Sequence, residues 1–276
     1  MFGRRLFILW MFFQFPLSCG CRSDHFRPGC AQPQSPSPPP QARALSLSVP
    51  AAPPAAAWNE RTTPLVPVLH TTDPQPRPKV RWWMRRFDQL SRKVASMSSV
   101  EILFVGDSIT EEWAESGEVI WRRHFSHRAI NLGVGGDRTQ NILWRLKNTP
   151  MECSGLRWAV VMAGTNNLGD SDSDADIFEG VAAIVYHMLD QCPSTRIILM
   201  GILPREPASF MGSIRRINEM LARLDNGTSV RYLDLGPQFL SPDGSIPGAL
   251  MPDSLHLSAR GYQIWADALR PILDAP

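Results

Sequence analysis

From about residue 78 to the C-terminus, short apolar runs alternate with amphipathic segments, and this alternation limits the folds open to the chain more than any other feature. Five runs read as strands: 100–105, 129–132, 157–163, 195–201 and 229–233. The run 157–163 is apolar at nearly every position, as a strand covered on both faces must be. Residues 80–97 place Val80, Trp83, Met84, Phe87, Leu90 and Val94 at helical spacing, and Ile142, Leu143 and Leu146 repeat that signal after the second strand. Residues 177–189, 211–224 and 258–273 read as three further helices. Asp174 and Asp176 complement the dipole of the first of these, and Ser258 can cap the last. Strands alternating with helices predict an α/β protein with a five-stranded parallel sheet between two helical layers. In such folds ligands bind beyond the carboxyl ends of the strands, so a motif that carries chemistry should come directly after a strand.

The first 78 residues read differently. Arg4 and Arg5 precede a strongly apolar run, 6–17, which is too short to cross a bilayer and has the length of a signal-sequence core. Ser18-Cys19-Gly20-Cys21 offers small residues for cleavage and, at Cys19 or Cys21, a candidate lipid-attachment cysteine. Residues 1–21 are therefore read as a signal peptide or lipoprotein signal, with export to the periplasm, cell envelope or medium as the expected fate. Residues 22–78 hold many of the 25 prolines, with Ala, Ser and Gln between them. Such sequence cannot offset its own ordering entropy and is read as a disordered spacer, leaving 79–276 as the catalytic domain. A formal charge of +2 with no basic block argues against a nucleic-acid partner. Membrane contact is expected only through the N-terminal signal or lipid.

Four motifs sit just after strands. Gly106-Asp107-Ser108 comes after the first, holding a serine at a strand-to-helix turn; a helix cap reads equally well there. Gly133-Val134-Gly135-Gly136-Asp137-Arg138 comes after the second. Arg138 stands where a dinucleotide loop has its third glycine, so the better reading is a backbone able to approach a reacting group and offer an N–H. Gly164-Thr165-Asn166 comes after the third and can supply a side-chain amide donor to an oxyanion, or simply turn the chain. Asp253-Ser254-Leu255-His256 comes after the fifth, where an Asp three residues before a His can orient the imidazole. Together they supply a nucleophile, a base with its orienting carboxylate, and two kinds of oxyanion donor, the set that acyl transfer requires.

The same four blocks resemble the SGNH, or GDSL-type, hydrolase superfamily over roughly residues 98–273. The stretches 131–137, 143–148 and 164–167 resemble the catalytic subunits of platelet-activating-factor acetylhydrolase and related bacterial esterases. The resemblance implies a flavodoxin-like three-layer sandwich, the SGNH hydrolase fold. It also implies Ser108 as nucleophile, His256 as base and Asp253 as its orienting partner. The oxyanion donors would be the amides of Ser108 and Gly136 and the side chain of Asn166. Ile109, Thr165 and Leu255 would shape a small acyl pocket. No metal or cofactor is implied, and His124 and His127 are read as surface residues. Cys153 and Cys192 precede the third and fourth strands, which this fold makes neighbours, so a disulfide at the pole opposite the site is geometrically possible.

These readings predict a serine esterase that hydrolyses short-chain, acetyl-type esters outside the cytoplasm, with a small ester or an acetylated glycan as substrate. A lysophospholipase or thioesterase would differ by acting on long acyl chains. A non-catalytic carbohydrate-binding module on the same fold would show no turnover.

Overall fold

The computed structural model describes residues 70–96 and 100–275. The expected export signal at 1–21, with Cys19 and Cys21, and most of the expected spacer lie outside the described residues. In chain order the elements are α1 (Arg81–Ser96), β1 (Ile102–Gly106), α2 (Ser108–Glu111), α3 (Glu118–His124), β2 (Ala129–Asn131), α4 (Thr139–Lys147), β3 (Trp158–Met162), α5 (Thr165–Gly169), α6 (Asp174–Gln191), β4 (Arg196–Met200), α7 (Met211–Leu221), β5 (Val230–Leu233) and α8 (Ala259–Leu273). Every strand pairs in parallel, in the order β2-β1-β3-β4-β5. The order reverses at β1, so the crevice beyond β1 and β3 is the switch point where such sheets bind ligands.

The sheet separates two cores, and strand alternation decides which residue joins which. Leu103, Val105, Ala159, Val161, Ile197 and Leu199 pack on one side with residues from α1, α4, α6 and α7. Ile102, Phe104, Val160, Met162, Ile198 and Met200 point to the other. That second core is aromatic: Phe104, Trp113, Phe125, Tyr262 and Trp265 are fully buried, and Trp113 lies within 6 Å of the rings of Phe104, Phe125, Tyr262 and Trp265. Both faces of every central strand are thus buried, which is why 157–163 is apolar throughout rather than alternating.

The helices read from periodicity are present. Ser173 and Ser258 cap α6 and α8 by accepting from the amides of Asp176 and Gly261. Two short helices carried too weak a pattern to be anticipated. α3 buries only Ile120, and α5 spans five residues. His124, at the end of α3, is half-buried, and His127 is exposed.

The folded chain also takes in residues 70–78, which composition had assigned to the spacer. Thr71 is fully buried and its carbonyl accepts from the Thr139 hydroxyl. The Gln75 amide donates to the Gln140 carbonyl, and the Gln75 carbonyl accepts from the Asn141 side chain. Prolines at 74, 76 and 78 hold this strap extended without competing for those bonds. A catalytic fragment begun at residue 79 would lose all three contacts.

Cys153 and Cys192 form a disulfide, with Cα atoms 5.5 Å apart, at the amino ends of β3 and β4 and so at the pole opposite the strands' carboxyl ends. It closes a loop across 39 positions, so removing it should cost about 2–4 kcal/mol. Reductant is expected to lower the melting temperature by roughly 5–15 °C and to add the mass of two hydrogens to the intact chain. An unchanged mass and melting temperature would sink the assignment.

Candidate active site

Ser108 is the first residue of α2, directly after β1. Asp107 caps that helix, its Oδ1 accepting from the Ile109 amide at 3.0 Å. The cap sets the turn that lifts the serine out of the sheet. Ser108 Oγ lies 2.9 Å from His256 Nε2, and His256 Nδ1 lies 2.7 Å from Asp253 Oδ2. With Nδ1–H donating to a carboxylate, Nε2 is left as the acceptor for the serine proton.

The loop that carries this pair is built for it. Ser254 adopts a left-handed φ of 59°, which folds the chain back on Asp253. Asp253 Oδ1 then accepts from the amides of Leu255 and His256 at 3.0 and 2.7 Å. A non-glycine residue in that region costs on the order of 1 kcal/mol, held here by those bonds and by the Glu206 amide donating to the Ser254 carbonyl. Burial opposes the Asp253 charge, but the bonds from the His256 ring and the two amides outweigh it and hold the carboxyl at about 2. Asp253 therefore stays ionised throughout the neutral range.

The glycine loop after β2 passes close to the serine. A Cβ on Gly135 would stand 3.9 Å from Ser108 Cβ. Gly136 has φ +69°, a conformation that glycine adopts without strain and that turns the loop along the cleft. Gly164 likewise has φ +111°, and a Cβ there would press on Ile177 at 2.9 Å. Asn166, in the first turn of α5, donates its Nδ2 to the Asp137 carbonyl at 2.9 Å and lines one cleft with Gly136. Of the three residues expected at the acyl pocket, Ile109 and Thr165 are buried and line one small void. Leu255 is half-buried and does not line that void.

Beneath the glycine loop lies a charged hub. Asp137 is fully buried and accepts from Arg145 Nε at 2.6 Å and from Trp83 Nε1 at 2.5 Å. Arg145, itself 3% exposed, donates its other nitrogens to the carbonyls of Leu132 and Gly106 at 2.9 and 3.2 Å. One guanidinium thus ties the carboxyl ends of β1 and β2 to the glycine loop that follows β2. Glu111 supports the loop from outside, accepting from the Gly135 amide at 2.6 Å and pairing with Arg86.

Sequence reasoning placed Glu111-Glu112-Trp113 at the cleft mouth but missed this hub, the contact of Glu112 with His256, and two arginines at the site. Glu112 Oε1 is 3.7 Å from His256 Nε2, and burial raises the Glu112 carboxyl against the pull of His256. Arg77 and Arg205 reach the cleft from the strap before α1 and from the loop after β4. Arg77 sits in proline-rich sequence that looked unfolded, and nothing local marks Arg205. Asp137 was visible in its motif, but its partner eight residues on was not.

Asp107 offers a pH prediction. Burial, with a contribution from nearby Asp137, raises its carboxyl from the ordinary range to about 7. A carboxyl raised on folding binds its proton in the native state through the window from about 4 to 7, so it makes stability fall as pH rises through that window. Asn at 107 keeps the cap acceptor and has no proton to lose. Denaturant titrations at pH 5 and pH 8 should show the wild type losing about 2 kcal/mol more than Asp107→Asn. Parallel pH curves would refute the shift.

The switch-point crevice, the linked Ser–His–Asp and the adjoining amide donors define a hydrolase of the acyl-transfer class. The chain belongs to the GDSL-like lipase/acylhydrolase family, whose sequence profile matches residues 104–264, and it is a carboxylic ester hydrolase of that family. It is 37% identical over 177 residues to platelet-activating factor acetylhydrolase IB subunit alpha1 of Bos taurus, across 63% of this chain and 75% of that one. It is 36% identical over 166 residues to subunit alpha2 of the same enzyme from Rattus norvegicus, across 59% and 71%. A GDSL-like lipase from Bacteroides thetaiotaomicron shares the fold with a TM-score of 0.56 at 17% identity, covering 68% of this chain and 97% of that one.

Proposed function

We propose that the protein is a serine esterase specific for short acyl groups, chiefly acetyl, acting outside the cytoplasm. Ser108 attacks the ester carbonyl while His256 Nε2 takes its proton, and Asp253 holds and stabilises the imidazolium. The amides of Ser108 and Gly136 with the Asn166 side chain receive the oxyanion. His256 then returns the proton to the leaving alcohol, and water repeats the sequence on the acyl-enzyme. The observation that carries this reading is the continuous chain of hydrogen bonds from Ser108 through His256 to Asp253. Ile109, next to the serine, and Thr165 are buried and pack the site closely, which favours a small acyl group. The acetyl preference also draws support from the acetylhydrolase relatives. Export is supported by Arg4-Arg5 with the apolar run 6–17, and by a disulfide that persists only in an oxidising compartment. An acetylated glycan is the substrate such a location favours.

Chromogenic esters from acetate to palmitate, offered to the full chain beside Ser108→Ala, test the proposal. Acetate and propionate should be cleaved fastest, with kcat/KM falling as the acyl chain lengthens. A maximum at long chains would make the protein a lysophospholipase or thioesterase instead, and no turnover on any ester would leave a binding module.

A further inference from the structure

One carboxylate at the site is explained neither by the triad nor by the fold. Glu112 follows Ser108 by four residues and so stands on the same side of the turn as the serine. Its Oε1 lies 3.7 Å from His256 Nε2, and its side chain is 22% exposed. Among the described residues the carboxylate makes no other ion pair and accepts no hydrogen bond. Burial opposes its ionisation, as do the charges of Glu115, Asp253 and Glu111, and His256 alone favours it. Carboxylates held against such costs concentrate at functional positions.

The backbone fixes Glu112 in place. Its amide donates to the Ser108 carbonyl, and Trp113 beside it is fully buried against Phe104, Phe125, Tyr262 and Trp265. The Tyr262 hydroxyl donates to the Ile109 carbonyl at 2.6 Å, which ties the same turn to α8. A separation of 3.7 Å is too long for a hydrogen bond, but a single water about 2.8 Å from each atom can donate to both. In the free enzyme Ser108 Oγ holds His256 Nε2 at 2.9 Å. Once acylated, the serine has no proton to donate, and Nε2 is free to accept from water.

We infer that Glu112 holds the water that hydrolyses the acyl-enzyme. The inference rests on the serine-esterase reading and adds a residue to its second half-reaction. The water donates one O–H to His256 Nε2 and the other to Glu112 Oε1, which turns its lone pairs toward the acyl carbon. A bond forms from the water oxygen to that carbon as the first proton passes to Nε2, and the carbonyl electron pair moves onto the oxygen at the oxyanion donors. On collapse the bond from carbon to Ser108 Oγ breaks, and Nε2 returns its proton to Oγ. The carboxylic acid departs and Glu112 gains no proton overall. The alcohol that leaves in the first half-reaction takes its proton from Nε2 and needs nothing from Glu112, so the two half-reactions respond differently to its loss.

The assignment is tested with p-nitrophenyl acetate and the full chain, wild type beside Glu112→Ala and Glu112→Gln. In Glu112→Ala, kcat and KM should fall together by about tenfold, leaving kcat/KM within about twofold of wild type. A burst of nitrophenol stoichiometric with the enzyme should precede the steady state. During turnover the intact chain should carry the mass of an acetyl group that Ser108→Ala never acquires. Methanol has a single O–H and cannot donate to both groups. In its presence the ratio of methyl acetate to acetate should rise about tenfold in Glu112→Ala, and less in Glu112→Gln, whose amide oxygen still accepts. Glu112→Gln, which keeps the volume, carries the same comparison if alanine unfolds the chain. A purely structural loss would lower both products alike and leave the ratio unchanged. An unchanged ratio, or a kcat/KM that falls as far as kcat with no acyl-enzyme accumulating, overturns the inference and leaves the esterase reading in place. Absence of turnover by the wild type would end both.

Discussion

Replacing Ser108 with alanine is expected to lower kcat on acetate esters by roughly four to six orders of magnitude while leaving the fold intact. Among the described residues the serine hydroxyl hydrogen-bonds only to His256, which is partly exposed, so its removal leaves no fully buried group unsatisfied. Melting temperature should stay within about 2 °C of wild type, since a single polar contact of this kind contributes little to stability. Substrate should still bind, because the oxyanion donors and the cleft remain. A kcat above roughly one-thousandth of wild type, measured on enzyme free of wild-type contamination, would place the nucleophile elsewhere.

Arg145→Met should be the most damaging single substitution for stability, costing about 3–5 kcal/mol. The methionine fills the volume but supplies none of the bonds that Arg145 makes to Asp137, Leu132 and Gly106. The Asp137 carboxylate would be left fully buried, with Trp83 as its remaining close donor and Arg77 at 3.7 Å. Denaturant melts check the size of the loss. Adding Asp137→Asn to Arg145→Met removes the stranded charge and should recover about 1–2 kcal/mol, so the two substitutions should be strongly non-additive. Activity is expected to fall with stability, since the loop carrying Gly136 rests on this pair. A loss under about 1 kcal/mol, or simple additivity, would show that the hub is not what holds the loop.

The strands and the four site motifs were legible because each is a local consequence of the architecture. A parallel strand buried on both faces must be apolar along its length, so residues 157–163 announced β3 and with it the strand end where Asn166 sits. The catalytic candidates then lay at strand ends, where their spacing in the chain carried the information. Asp253 and His256 are three residues apart, and the turn between them is built from their own backbone. The short α3 and α5 were missed because one buried residue, or one turn, leaves no period to read.

What only tertiary structure decided is which distant charges meet. Arg77 is 58 residues from Gly135 and Arg205 is 40 from Thr165, and no local pattern distinguishes them from surface arginines. Arg77 was hidden further by proline-rich composition, which signals absence of a core but says nothing of a strap packed on a core that other segments build. The raised Asp107 carboxyl, the hub at Arg145 and the cationic cleft are all products of desolvation and through-space Coulomb interaction, which depend on three-dimensional distance alone. The sequence by itself determined the sheet, its covering helices and the order of the reacting groups, because hydrophobic burial writes a periodic pattern. The electrostatic surroundings of those groups were decided by folding, because charge pairing leaves no period behind.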